Sequence, residues 1–143
     1  MSNITLVKFF KYNASWIVFG IFVFLAIYFH QGEPLIFSQG ALPLGKPIIW
    51  IIFVSFLLFS IYCSVNENIV KTVKKMYPMY WGKQIGIDLY IGLIITLSII
   101  YLNEGSLLVL ALWMLPVLVF GNLATLLYLA LNYDSLVLRF LSI

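Results

Sequence analysis

The chain alternates between long apolar stretches and polar connections, and four continuous apolar runs stand out: Ala14–Phe29, Pro47–Cys63, Ile85–Leu102 and Leu107–Leu131. Crossing the hydrocarbon of a bilayer takes about 20 helical residues, within roughly 17–25. The first run reaches that length once Tyr12 and Asn13 are counted in. Strands fit poorly, because the runs do not alternate and four strands cannot close a barrel. The pattern therefore predicts an all-α fold. It is a single membrane domain over 1–143, a bundle of four transmembrane helices at about 12–29, 47–63, 85–102 and 107–131. The fourth run is the longest and contains Pro116, so a tilt or kink is expected there.

The connections differ in character. His30 to Lys46 carries Gly32, Gly40, Gly45, Pro34 and Pro43, which predicts an irregular loop, re-entrant near Leu35–Phe37. Asn103-Glu104-Gly105-Ser106 predicts a tight turn and an antiparallel hairpin of the last two runs. Between the second and third runs, over about 66–77, Ile69, Val70, Val73, Met76 and Tyr77 recur at helical spacing opposite Glu67, Lys71, Lys74 and Lys75. That is an amphipathic helix ended by Pro78, either lying on the membrane with its lysines toward anionic headgroups or extending the second run. Tyr77, Tyr80 and Trp81 make an aromatic belt beside it.

Charge sets the expected orientation. Lys8 and Lys11 precede the first run, Lys71, Lys74, Lys75 and Lys83 lie between the second and third, and Arg139 follows the fourth, while Lys46 stands alone on the other side. The positive-inside rule then places both chain ends in the cytoplasm. Lys8 and Lys11 before an apolar stretch also suggest a signal peptide, but no small-x-small site occurs at Tyr28-Phe29-His30, so a retained signal-anchor helix is expected. Asn3-Ile4-Thr5 and Asn13-Ala14-Ser15 match the glycosylation pattern by chance, since they fall on the cytoplasmic side. Without a transit peptide or retention signal, a bacterial inner (plasma) membrane is the expected home.

Composition agrees: 64% of the residues are hydrophobic and 9% charged, against roughly a quarter charged in soluble domains. The net charge of +3 is spread over connecting segments, too thinly for a nucleic-acid partner. The one cysteine, Cys63, excludes an internal disulfide and reads as a packing residue or a palmitoylation site.

Asp88 is the one ionisable residue inside a run, and buried charge in a membrane helix points to function. Gln84, Asp88, Gly92 and Thr96 recur every four residues as one polar and small stripe. The fourth run carries Asn122, Thr125 and Tyr128. Counting 1.5 Å per residue through an antiparallel hairpin puts Asp88 and Tyr128 at the same depth, roughly 5 Å inside the cytoplasmic edge, and predicts that Asp88 contacts Tyr128 or Thr125. Asp88 is then either a proton carrier or general acid, or a hydrogen-bonding staple near the start of its helix. On the opposite face His30, Glu33 and Glu104 form a second candidate group, able in principle to hold a divalent metal but without metal-motif spacing. No Gly-rich phosphate loop, cysteine cluster or nucleophile motif is present, so no cofactor is expected. Gly82 and Gly86 form a GxxxG that straddles the interface and encloses Lys83.

Trp81, Asp88 and Tyr90, followed by Glu104, Ser106, Trp113, Phe120-Gly121, Thr125 and Tyr128, resemble the pattern of a family of small uncharacterised membrane proteins with plant and bacterial members, known as a domain of unknown function. The likeness covers residues 81–143 and departs at Asn122, where a small hydroxyl residue is expected. It implies a helical hairpin with polar residues at those points and no known activity.

Three functions remain open: a non-enzymatic accessory or self-associating component partnered by the bilayer and other membrane subunits, a small transporter or channel using Asp88, and an intramembrane enzyme or binder acting on an apolar lipid or isoprenoid. The last is the poorest fit, because Asp88 and Glu104 lie about 24 Å apart along one helix.

Overall fold

A computed structural model describes residues 3–141, with side chains from residue 14 onward. The side chains of Lys8 and Lys11 fall outside the described residues. Among the described residues every regular element is an α-helix, seven in all: α1 (Asn3–Tyr28), α2 (Gly45–Asn66), α3 (Ile69–Met76), α4 (Tyr80–Glu104), α5 (Leu107–Phe120), α6 (Asn122–Leu131) and α7 (Tyr133–Leu141). It divides into two compact units, Met1–Gln31 and Gly32–Ile143.

The first unit is α1, whose apolar stretch Ala14–Tyr28 carries aromatic neighbours one turn apart, Trp16 with Phe19 edge-on and Phe24 stacked on Tyr28. In the second unit, α2 and α4 are long and apolar enough to cross a membrane, and a third crossing is reached only if the bent pair α6–α7 counts as one broken span. The expected four spans are therefore corrected to two or three. The described apolar stretch of α1, Ala14–Tyr28, is shorter than these spans, and the fourth run is broken by a reversal at Gly121. This residue sits at φ 58°, ψ −130°, a backbone conformation open to glycine and costly for any residue with a Cβ. The helix entering as α5 stops there, and Ala124 N and Thr125 N bond back to Gly121 O to start α6.

The chain then returns alongside itself. Trp113, eight residues before Gly121, packs edge-on against Tyr128, seven residues after it, with ring centroids 5.0 Å apart. A straight helix would hold them about 22 Å apart. Thus α5 and α6 form a helical hairpin. At 14 residues α5 reaches only about 21 Å, short of the roughly 30 Å hydrocarbon thickness.

Helix α6 is the most enclosed element, with six of its residues buried, and packs mainly against α2 and α5. The core joins Leu93 and Ile100 of α4, Val117 of α5, Ala124 and Tyr128 of α6 and Leu136 of α7. A bend of 75° then turns α7 away from α6. Its Ser135 and Arg139 both reach Asn103 near the end of α4, so α7 lies across that end. Arg139 accordingly sits some 30 Å along α4 from Lys83, not on the side of the α3 lysines where the straight fourth run placed it.

The predicted tight turn is present as Gly105-Ser106, with Gly105 left-handed and Ser106 Oγ accepting from Val109 N. The predicted amphipathic segment is α3, a separate helix rather than an extension of α2. The loop from Gly32 to Leu44 has no regular structure, and its Leu35 carbonyl is held by Trp50 Nε1 at 2.7 Å in the second turn of α2.

Candidate functional site

The polar groups of the second unit gather where α2 begins and α4 and α6 end. Lys46, in the first turn of α2, is fully buried. Its ammonium donates to Glu33 Oε2 at 3.0 Å and lies 3.6 Å from Asp134 Oδ2. A buried cation without such partners would be prohibitive. Glu33 meanwhile accepts from Asp134 N at 2.9 Å and Ser135 N at 2.8 Å, closing the first turn of α7 whose N–H groups lack helical partners. Ser38 Oγ donates to Asp134 Oδ1 and accepts from Gly40 N, tying the loop to the same knot. Burial pushes the Glu33 carboxyl upward, but the Lys46 ammonium and the two backbone N–H groups outweigh it and hold it below the ordinary 4.5.

Ser135 connects this ion cluster to a second one. Asn103 Nδ2 donates to Ser135 Oγ at 3.3 Å and to the Tyr128 hydroxyl at 2.9 Å, and that hydroxyl donates to Glu104 Oε1 at 2.8 Å. Arg139 Nη2 donates to Asn103 O at 2.7 Å, placing a cation on a carbonyl at the C-terminus of α4. Asn103 Oδ1 is buried without a hydrogen-bond partner among the described residues.

These contacts rearrange the sequence-based sites. Glu33 and Glu104 do share one end, but as members of this network. His30 lies after α1 in the first unit, its N–H bonded to Ile27 O. Among the described residues no group of three His, Cys, Asp or Glu could hold a metal. Tyr128 bonds Glu104 and Asn103 and not Asp88, about 24 Å away along α4; the depth count failed because it ran straight through Gly121. Asp88 and Gln84 are exposed in a shallow recess of α4 with Tyr80, Lys83, Ile87 and Ile91. Thr96 Oγ1 bonds its own helix at Gly92 O, Asn122 is exposed beside the Gly121 turn, and Thr125 Oγ1 is buried without a partner among the described residues.

Lys46, Asn103 and Arg139 entered the sequence reading only through charge orientation and the turn, and Ser38, Asp134 and Ser135 not at all; none was a predicted site residue. One signal was available: Asn132-Tyr133-Asp134-Ser135 ends the last apolar run with the composition of a helix start.

Tyr128→Phe tests the hinge of the network. The ring keeps its packing on Trp113, while Glu104 loses a donor and Asn103 an acceptor. An apparent stability loss of about 1–3 kcal/mol is expected in thermal unfolding in micelles, with the Trp emission unchanged before the transition. A loss below that range would mean that water replaces the hydroxyl.

Comparison with protein-family models, curated proteins and solved structures gives no match. The likeness of residues 81–143 to an uncharacterised membrane family thus rests on residue pattern alone.

Proposed function

We propose that this chain is a non-catalytic integral membrane component that assembles with other chains through the exposed face of α4. The observation that carries the reading is Asp88, a carboxylate two turns into a membrane-length helix, exposed and without a hydrogen bond or ion pair among the described residues. A carboxylate facing acyl chains is costly, so this surface calls for a protein neighbour. Gly92, one turn further on, has nothing within 4 Å of where a Cβ would stand, which leaves room for a second helix to approach closely. The network at the far end of α4 also supports the reading, since Glu33, Glu104 and Asp134 are all engaged in holding helices together.

In this arrangement α2 and α4 cross the membrane, α5–α6 dips in and returns, and α7 lies at the surface. Lys71, Lys74, Lys75 and Lys83 mark their end of the second unit as cytoplasmic, in a bacterial inner membrane, and α7 faces the other side.

The re-entrant hairpin favours one second reading, a small transporter. Its tip brings helix ends and Asn122 into the membrane interior, the setting in which transporters hold their substrates, and Asp88 would take a proton or cation.

The test is native mass spectrometry of protein extracted gently from its own membrane, with Asp88→Leu alongside. The wild type is expected to carry other subunits or further copies, with the variant retaining at most a tenth as much, an effect of about 1.4 kcal/mol or more. A wild-type monomer without protein partners would remove the assembly reading. Proton or cation flux abolished by Asp88→Asn in proteoliposomes would then favour transport.

A further inference from the structure

Helix α3 joins two membrane-length helices through connectors of two and three residues, so it is tethered at one membrane face at both ends. It is a helix in its own right. Glu67 is extended, Asn68 Oδ1 accepts from Lys71 N at 3.1 Å as the N-cap, and Glu67 takes the Thr72 hydroxyl at 3.2 Å. At 100° per residue, Ile69, Val70, Val73, Met76 and Tyr77 share one arc, and Lys71, Lys74 and Lys75 lie on the opposite one. Yet α3 buries no residue: Ile69, Val70, Val73 and Tyr77 are 73%, 58%, 54% and 70% exposed.

Its angle to α4 is set by contact. At Gly82 a Cβ would fall 2.1 Å from the Met76 carbonyl oxygen, so only glycine lets the end of α3 come this close. Lys83 stands 5.8 Å and 5.7 Å from the ring centroids of Tyr77 and Tyr80, a fourth cation held at the same elbow.

We propose that α3 is a docking surface for anionic phospholipids. Its apolar arc sinks among the first acyl carbons, and Lys71, Lys74 and Lys75, with Lys83 beside them, engage the headgroup phosphates. Two observations select lipid over a protein groove. Both ends of α3 run directly into membrane-length helices, which brings the bare arc to the lipid boundary. The flanking charge is uniformly positive, apart from Glu67 at the N-terminal end, and complements an anionic leaflet. This inference does not depend on what covers α4.

The full-length protein, titrated with phosphatidylglycerol and with phosphatidylcholine and read by native mass spectrometry, is expected to hold the anionic lipid about a hundredfold tighter. Lys71→Gln, Lys74→Gln and Lys75→Gln should each cost about fivefold of that preference. These side chains are solvent-facing, so the variants fold. Equal affinity for the two lipids, or a preference unchanged in the triple variant, would overturn the proposal. So would displacement of the lipid by glycerol phosphate in solution, because the apolar arc would then play no part. A spin label at Val73→Cys, in a Cys63→Ser background, should lose contact with water in phosphatidylglycerol nanodiscs. A label that stays wet would overturn lipid docking and leave the arc to a protein partner.

Discussion

Glu33→Ala is expected to lower the apparent unfolding free energy in micelles by about 3–5 kcal/mol, although Glu33 lies in an irregular loop. Exposed ion pairs contribute about 0–1 kcal/mol, but the Lys46 ammonium has no exposed surface, and its other carboxylate, Asp134, is 3.6 Å away. The same substitution strips the partner from Asp134 N and Ser135 N, so α7 should loosen with it. Adding Lys46→Met should restore much of the loss, since an apolar side chain of similar length needs no counter-charge. If Glu33→Ala costs less than about 1 kcal/mol, Asp134 alone satisfies the lysine.

The ion cluster also sets a pH dependence. The Glu33 carboxyl sits below its ordinary 4.5 in the folded chain, so the unfolded chain binds the proton more tightly. Its stabilisation is therefore complete above that ordinary value and is lost as pH falls through the lower folded one. The wild-type unfolding midpoint should drop as pH falls below about 4.5. Other carboxylates titrate there too, so the measurement is the difference from Glu33→Gln, which should shrink toward acid. A difference that stays constant with pH would assign the effect to hydrogen bonding rather than charge.

Gly121→Val should be nearly as damaging for a different reason. Nothing lies within 4 Å of the position its Cβ would take, so space is not the obstacle. The backbone at φ 58° and ψ −130° is, and forcing a β-branched residue into it costs about 1–3 kcal/mol. The escape route is to straighten the α5–α6 junction, which would pull Tyr128 away from Trp113, Asn103 and Glu104 together. Cysteines at 113 and 128 in a Cys63→Ser background should be joined by a short bifunctional reagent when Gly121 is present and lose that link in the valine variant. Efficient joining in the variant would mean that the reversal survives on packing alone.

Much of the fold was legible as pattern. The apolar runs became helices, Gly105-Ser106 became the turn, and the lysine-flanked arc of α3 became an amphipathic helix, because each depends on neighbours a few positions away along the chain. The site was less legible. Glu33 and Glu104 were picked out by side-chain type, but their partners Lys46, Asn103, Asp134 and Ser135 are polar residues at the ends of runs, where any membrane protein carries some. Pairing Asp88 with Tyr128 followed from treating 107–131 as one rod, whereas the chain breaks at Gly121 and runs helical through Pro116.

By itself the sequence determined the chemistry of the surroundings: a chain with 9% charged residues must satisfy its backbone internally and present apolar helices to its solvent. It also determined which short segment is two-faced, since α-helical periodicity is a local property. Only the tertiary structure decided which end of the molecule each polar residue reaches. One glycine, through two backbone torsions, reverses the direction of every residue after it, and hydropathy is blind to direction. That reversal brought Tyr128, Asp134 and Arg139 to the end that holds Glu33, Lys46 and Glu104, and left Asp88 bare on the face of α4.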